Sequence, residues 1–283
     1  DYDEPVESSF CFKDEPVFDL VQVDGCKFRY FMIRGEDETW QKPQVIEFYD
    51  TGSRVMFVLD AFFSESSQHS VDIFSQFLLS TPFPHKKIRI RPDNAKGFLN
   101  LKRPINELNL TYSVPNGFYL QPDFTRIQAP KDKVHLESSH RSLHHFEMRI
   151  IKHFESRIAK IKPGTLYKNG KKETIAVTYL DIDIQTLRNS GLLESYRLSH
   201  NEEQHYFSSD GKISAWIPAQ KFHAGLSKTE QLTFAEKDVR HFMKYGFDKV
   251  KATVSKKGDI TFNNRIYHVA VGRENFSRHN STK

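Results

Sequence analysis

The sequence predicts an α/β fold: a mixed sheet with flanking helices, followed by a smaller β-rich region. Three observations point there. Short β-rich runs in the first part alternate with segments of helical spacing, the layering of a sheet covered by helices. A tight-turn signal joins two of those runs, which makes part of the sheet antiparallel. Beyond residue 245, short alternating strands and turns take over.

The elements follow in order. Residues 1–15 are acidic, with Lys13 the only base, and are expected as an extended lead-in. Phe18 to Asp24 is a β-rich run ending on a carboxylate, and Gln44 to Asp50 is a second. Asp50-Thr51-Gly52-Ser53 is a turn signal, and Arg54 to Phe63 is a third, largely apolar strand. Over Ser67 to Ser80, Val71, Phe74, Phe77 and Leu78 recur on one helical face. Lys87 to Arg91 is a short strand running into Pro92-Asp93-Asn94, and Leu108 to Val114 alternates as a fifth strand stopped by Pro115. Lys131 to about Lys160 contains no Pro or Gly and reads as one long helix, broken by Pro163-Gly164.

The texture then changes. Lys168 to Lys172 is a basic Asn-Gly turn, Thr174 to Ile184 a strand, and Thr229 to Tyr245 a helix with Phe234, Val239, Phe242 and Met243 as its apolar positions. Val250 to Val254, Ile260 to Phe262 and Ile266 to Val271 read as three strands of a small barrel that the sequence does not complete. The expected organisation is a core over 1–160, a linker and α+β region over 161–245, and an incomplete barrel over 246–283.

Composition narrows the class. The chain has 283 residues, 38% hydrophobic, with mean hydropathy −0.59, which excludes a disordered tail and suggests more than one unit. No run of about 18 apolar residues occurs, so a membrane-spanning helix is excluded and no membrane partner is expected. The chain opens on Asp1 without an initiator Met or signal pattern and is read as a fragment of a longer protein. Two cysteines, Cys11 and Cys26, form no disulfide framework, which points to a reducing cytoplasm. Net charge is +5, yet residues 131–172 alone hold eleven Lys or Arg against four acids. Concentrated positive charge suits phosphate neutralisation, so nucleic acid is the expected partner.

Asp24, Asp93 and Glu137 fall where a metal site would need them: a strand end, just past another strand end, and the start of the long helix. Phosphoryl transfer with two Mg²⁺ ions requires such a set of hard oxygen ligands. Asp19, Asp50, Asp60, Asp123 and Asp132 are rivals; Asp19 lies on the opposite strand face from Asp24 and Asp132 faces away from Glu137. Glu137, His140, Arg141 and His144 share a helix face at i, i+3, i+4 and i+7, where they are expected to hold DNA phosphates. Lys168, Lys171 and Lys172 are further DNA contacts. Trp40 and Trp216 are stacking candidates, with packing the preferred use. No nucleophile elbow, Walker A sequence or dinucleotide-binding glycine pattern is present.

Several stretches resemble the DDE transposases and retroviral-integrase-like recombinases. Val23-Asp24 closes an apolar strand, Asp93-Asn94 follows a basic strand with Gly97 nearby, and Leu136-Glu137-Ser138-Ser139-His140-Arg141-Ser142-Leu143 is similar to the family's Val-Glu-x-x-His-Arg-x-Leu helix. Asp50-Thr51-Gly52-Ser53-Arg54 is similar to its Asp-x-x-Ser-Arg turn. The pattern departs at Ala95, where the family has Gly, and at Gln128 to Lys131 before the Glu helix. Phe247 to Val269 has a weaker resemblance to the barrel of the Mu-transposase group. The resemblance implies an RNase-H-like mixed five-stranded sheet and an integrase catalytic core. It further implies Asp24, Asp93 and Glu137 as both the catalytic triad and the ligands of two Mg²⁺ ions, with Mn²⁺ able to substitute. The implied activity is DNA end cleavage and strand transfer, that is, transposition and integration, by a homo-oligomer on element ends and target DNA. The implied setting is a bacterial or phage-type, nucleoid-associated cytoplasmic protein. The alternatives are a nuclease without strand transfer and an inactive DNA-binding or assembly protein.

Overall fold

The computed structural model describes residues 16–64, 67–92, 96–123, 134–168, 171–209, 212–226, 230–246, 253–254, 259–262 and 265–268. The chain divides into two compact units, residues 1–247 and 248–283. The first is built on a five-stranded mixed sheet of β1 (Leu20–Lys27), β4 (Gln44–Asp50), β5 (Met56–Phe62), β7 (Lys87–Pro92) and β8 (Tyr119–Pro122), in the order β5-β4-β1-β7-β8. β4 runs antiparallel to both β1 and β5, whereas β7 is parallel to β1 and β8 parallel to β7.

Local chemistry explains the two halves. Between β4 and β5 the buried Asp50 closes the turn: Oδ2 accepts from Ser53 N at 2.7 Å and Ser53 Oγ at 2.5 Å, and Oδ1 accepts from Phe18 N at 2.9 Å. Arg54 takes a left-handed conformation (φ 74°) to complete it. A turn this tight allows only an antiparallel pair. The parallel half needs crossovers, and helices supply them. α1 (Ser67–Ser80), with the two-residue β6 (Phe83–Pro84) after it, leads to β7; α2 (Lys96–Leu99) and α3 (Lys102–Asn116) lead to β8.

Both sheet faces are covered, which is why β4 and β5 are buried along their whole length. On one face Val21, Val23, Ile46 and Phe48 pack against Phe74, Phe77 and Leu78 of α1 and Leu108 of α3. Phe222, from α7 (Pro218–Leu226), and Val239 and Phe242, from α8 (Glu236–Met243), close the same core. On the other face Cys26, Val45, Tyr49 and Ala61 pack against Leu143, Phe146 and Ile150 of α4 (Val134–His153) and Leu193 and Tyr196 of α6 (Leu192–Glu202).

Three expectations are corrected. Leu108 to Val114 is not a strand but the second half of α3. Leu101, Ile105 and Leu108 are buried at helical spacing while Leu110 is 77% exposed, so its apparent alternation carries no face. The fifth strand is β8, entered after Gly117, whose φ of 64° suits a residue without Cβ. The long helix ends at His153; a short 3-10 turn (Glu155–Arg157) leads into β9 (Ile158–Lys168). Pro163 and Gly164 therefore lie within a strand, tolerated because β9 is an edge. The helix expected from Thr229 is shorter and is preceded by β13 (Gln231–Leu232), which pairs with β6.

A second sheet, β3-β2-β10-β9, joins β2 (Phe31–Arg34), β3 (Trp40–Gln41) and β10 (Lys171–Asp183) to β9. α5 (Ile184–Asn189) follows β10, and β11 (His205–Ser209) pairs with β12 (Lys212–Trp216) after α6. In the second unit β14 (Thr253–Val254), β15 (Asp259–Phe262) and β16 (Arg265–His268) form an antiparallel meander, with no closed barrel among the described residues. No described helix is long and apolar enough to cross a membrane.

Phe77 sits among the rings of the first core, with Phe48, Phe57 and Phe83 centroids at 4.8, 5.3 and 5.1 Å. Phe77→Ala is expected to cost about 3–5 kcal/mol through lost burial and the cavity left behind, read as a lower denaturant midpoint at unchanged m-value.

Candidate functional site

Asp24 lies on β1, half-buried and directly across from Glu47 on β4. By strand alternation it shares a face with Gln22 and Cys26, the side on which α4 packs. On the other flank β1 pairs with β7 as far as Val23 and Pro92. Asp93 lies outside the described residues. Glu137 sits in the first turns of α4, and its side chain lies outside the described part.

The other acids weighed from the sequence are occupied. Asp60 is ion-paired with Arg188 and accepts from Gln76, Asp123 is held by Arg91 at 2.6 Å, and Asp19 faces Lys86 and Arg89. Asp50 serves the turn, and Asp132 lies outside the described residues. Trp216 donates to Ser53 O at 2.8 Å under Lys221, and Trp40 lies between Arg34 and Lys160, so both rings are used in packing.

His140 and His144 do not stand out toward solvent as their spacing suggested. They form a buried polar seam between α4 and the sheet. Glu47, 1% exposed, accepts from Ser139 Oγ at 3.1 Å and faces His140 Nε2 at 3.1 Å, a contact of charge more than of aligned hydrogen bonding. His144 has both ring nitrogens engaged: Nε2 is 3.6 Å from Cys26 Sγ and Nδ1 is 2.6 Å from Glu147 Oε1. Glu147, fully buried, also accepts from Arg29 N and Tyr30 N at 2.7–3.0 Å. Cys26, His144 and Glu147 have the order of a nucleophile, base and orienting acid. The thiol, however, is 8% exposed and covered by α4, so the chain of contacts is structural. Arg141 is exposed on the same helix, as are Lys171 and Lys172 on β10; Lys168 is the register partner of Lys171.

The seam is mutually charged. Burial alone would lower the His140 pKa, but Cys26 and Glu47 push it up to about 11. His144 moves the same way, with Cys26 and Glu147 outweighing its burial. For Cys26 burial acts upward, and the two histidines more than offset it, so its pKa falls below the ordinary thiol value.

Glu47, Cys26 and Glu147 were not singled out in the sequence. Two signals were available: Cys26 is two positions from Asp24 on one strand face, and Glu147 is three from His144 on one helix face. Neither says where a partner 92 to 118 positions away will fall. Among the described residues no group of three His, Cys, Asp or Glu is arranged to hold a metal. The sequence matches no protein-family model and no curated protein.

Because the folded pKa of His140 lies above its unfolded value of about 6.5, its contribution to stability is complete below that value and is lost as pH rises through about 11. In a Cys26→Ala background, which removes the thiol's own titration and its share of the upward shift, Glu47 remains to raise His140, so His140→Gln should still cost more stability at pH 6 than at pH 9, by less than the full shift implies. Urea unfolding at the two pH values checks this. Glu147→Ala strands two backbone amides and a histidine, and is expected to cost about 3–5 kcal/mol by the same measurement, with Glu147→Gln less damaging.

Proposed function

We propose that the chain is the catalytic fragment of a DDE-type DNA recombinase, a transposase or integrase with an RNase-H-like core, which cuts element ends and joins them to target DNA. One observation carries the reading. β1 and β7 are parallel neighbours in register at Val23 and Pro92, the residues just before Asp24 and Asp93, and α4, which includes Glu137, packs on β1. In open α/β sheets, sites form outside the carboxyl ends of parallel strands where connections diverge. The mixed five-stranded sheet, half hairpin and half helix-crossed, is the architecture such a core requires. The second unit's antiparallel meander is compatible with the opening of a small barrel.

The donor set suits hard divalent ions: three carboxylates, of which Asp24 is half-buried within β1, not at the strand end its sequence suggested, and one residue past the last β1–β7 register pair. Asp24, Asp93 and Glu137 would hold two Mg²⁺ ions, with Mn²⁺ as substitute, and bound metal supplies an activated water and charge neutralisation at the phosphate. The chain's own groups do the rest. Glu47 and Glu147 hold α4 against β1 and β4 and so set where Glu137 starts. Arg141, exposed four positions beyond Glu137, and Lys168, Lys171 and Lys172 neutralise DNA phosphates. His140 and His144 are assigned to holding the helix in place of contacting DNA. Assembly as a homo-oligomer on paired ends belongs to the same reading.

Asp24→Asn, Asp93→Asn and Glu137→Gln are each expected to reduce Mg²⁺-dependent cleavage of a labelled end duplex by about a thousandfold or more, the equivalent of roughly 4 kcal/mol at the transition state, with the fold retained by circular dichroism. Near-normal activity in any of them removes that residue from the site. A joined product on plasmid DNA separates a recombinase from a nuclease, and a wild-type chain that binds DNA without cutting it would be the inactive assembly protein. Mg²⁺ or Mn²⁺ should support reaction, Ca²⁺ should allow binding with little catalysis, and activity that survives excess EDTA would overturn the metal mechanism.

A further inference from the structure

The hairpin of β9 and β10 outruns its sheet. β2 pairs with β10 at Thr178, Tyr179 and Asp183, whereas β10 and β9 pair from Lys171↔Lys168 onward, so seven register pairs, ending at Val177↔Lys162, have no third strand among the described residues. Over that stretch the described side chains are exposed or half-buried on both faces until Val177; Tyr167 is 73% and Ile161, at the root, 60% exposed. A bare two-stranded ribbon is only marginally stable in water. An arm of this length is therefore placed to gain a partner.

Its composition says which kind. Residues 158–177 carry Lys160, Lys162, Lys168, Lys171 and Lys172 against a single acid, Glu173. The lysines fall at the two ends: Lys162 near the root, with Lys160 held over the Trp40 and Tyr179 rings, and Lys171 and Lys172 near the tip. At about 3.3 Å per residue the six steps from Lys162 to Lys168 separate the two clusters by about 20 Å. That is about six base pairs of duplex at roughly 3.4 Å each. Between them the register pair Thr165↔Thr174 presents hydroxyl and methyl groups. A second copy of the chain added along β9 is disfavoured, because Pro163 removes an edge donor and Lys160 and Lys162 repel a like strand.

We infer that the β9–β10 ribbon is a docking arm for duplex DNA, lying along the major groove with its two lysine clusters on the flanking phosphates. The groove admits a two-stranded ribbon. The inference rests on the proposed function for its partner but not for its chemistry: it needs no metal and no intact triad.

The test uses the full chain and a fluorescent 30-base-pair duplex, with anisotropy titrations at several salt concentrations. A Lys162→Ala/Lys171→Ala/Lys172→Ala variant should bind at least tenfold more weakly at about 0.1 M salt, with a log–log salt slope flatter by about 2 to 3, given roughly 0.9 per phosphate contact. Its thermal unfolding should match that of wild type, since the three side chains are exposed. A Tyr167→Ser/Ile161→Thr variant is the control and should keep the wild-type slope. If wild type binds and cuts DNA while the lysine variant keeps the same affinity and slope, the arm is overturned and the catalytic reading stands. If the lysine variant loses binding and wild type never cuts, the arm stands and the catalytic reading falls. A wild-type chain that does not bind the duplex overturns both. A control variant that alone changes the sedimentation behaviour, with DNA affinity intact in both variants, assigns the ribbon to a second copy of the chain instead.

Discussion

Two buried carboxylates hold α4 to the sheet, and the geometry around β1 depends on them. Apolar packing of Leu143, Phe146 and Ile150 supplies attraction without direction, since the hydrophobic effect is roughly proportional to area and indifferent to small slides. Glu47 and Glu147 supply direction. Each is stripped of water, so each needs partners at hydrogen-bond distance, and those partners come from the other side of the interface: Ser139 and His140 from the helix for Glu47, Arg29 and Tyr30 amides from the β1–β2 link for Glu147. A helix pinned eight residues apart along its length can neither slide nor roll.

The two sides of the five-stranded sheet are chemically different for this reason. One side is a ring-on-ring core: Phe18 stacks on Phe57 at 5.0 Å, and Phe222 and Phe234 add tilted and edge contacts from late in the chain. It contributes burial and aromatic geometry. The other side interleaves apolar packing with the Cys26–His144–Glu147 and Glu47–His140 contacts, whose opposite charges favour one another where each alone would be costly. Polar groups concentrate on the face that Asp24 shares, next to the carboxyl ends of the parallel strands.

The second sheet follows a different logic. β10 is central where β2 and β9 flank it, and there Thr178 and Leu180 are buried. Farther toward Lys171 no third strand pairs with it among the described residues, and the burial is lost as well. The ribbon's stability in isolation is small, and its lysines and edge proline keep it from pairing with other strands. Rigid sheet and exposed ribbon thus meet within one strand, at the point where β2 begins.

Local patterns were enough for part of this. α1 spans the residues its helical spacing marked, Ser67 to Ser80, because Val71, Phe74, Phe77 and Leu78 repeat at a period no strand shares. β4, β5 and the turn between them were legible because a buried Asp and the Ser three positions on encode the turn within a few residues. Leu108 to Val114 misled for the same reason in reverse: its alternation is also local, and only the packing of α3, which buries Leu108 and exposes Leu110, decides between the periods. The helix end at His153 was invisible because Lys and Ile alternating after it suit an edge strand and a helix equally until a partner strand is present. Composition and spacing by themselves determined the α/β class, the concentration of charge after residue 130, and the candidate acids. Tertiary structure alone decided that Asp24 faces α4, that Glu47 lies across from it, and that His140 and His144 turn inward. The Asp24–Glu47 pairing hangs on the β1–β4 register, and the inward turn of the histidines on hydrogen bonds and ion pairs between groups some ninety to one hundred and twenty positions apart, a distance over which no sequence period carries information.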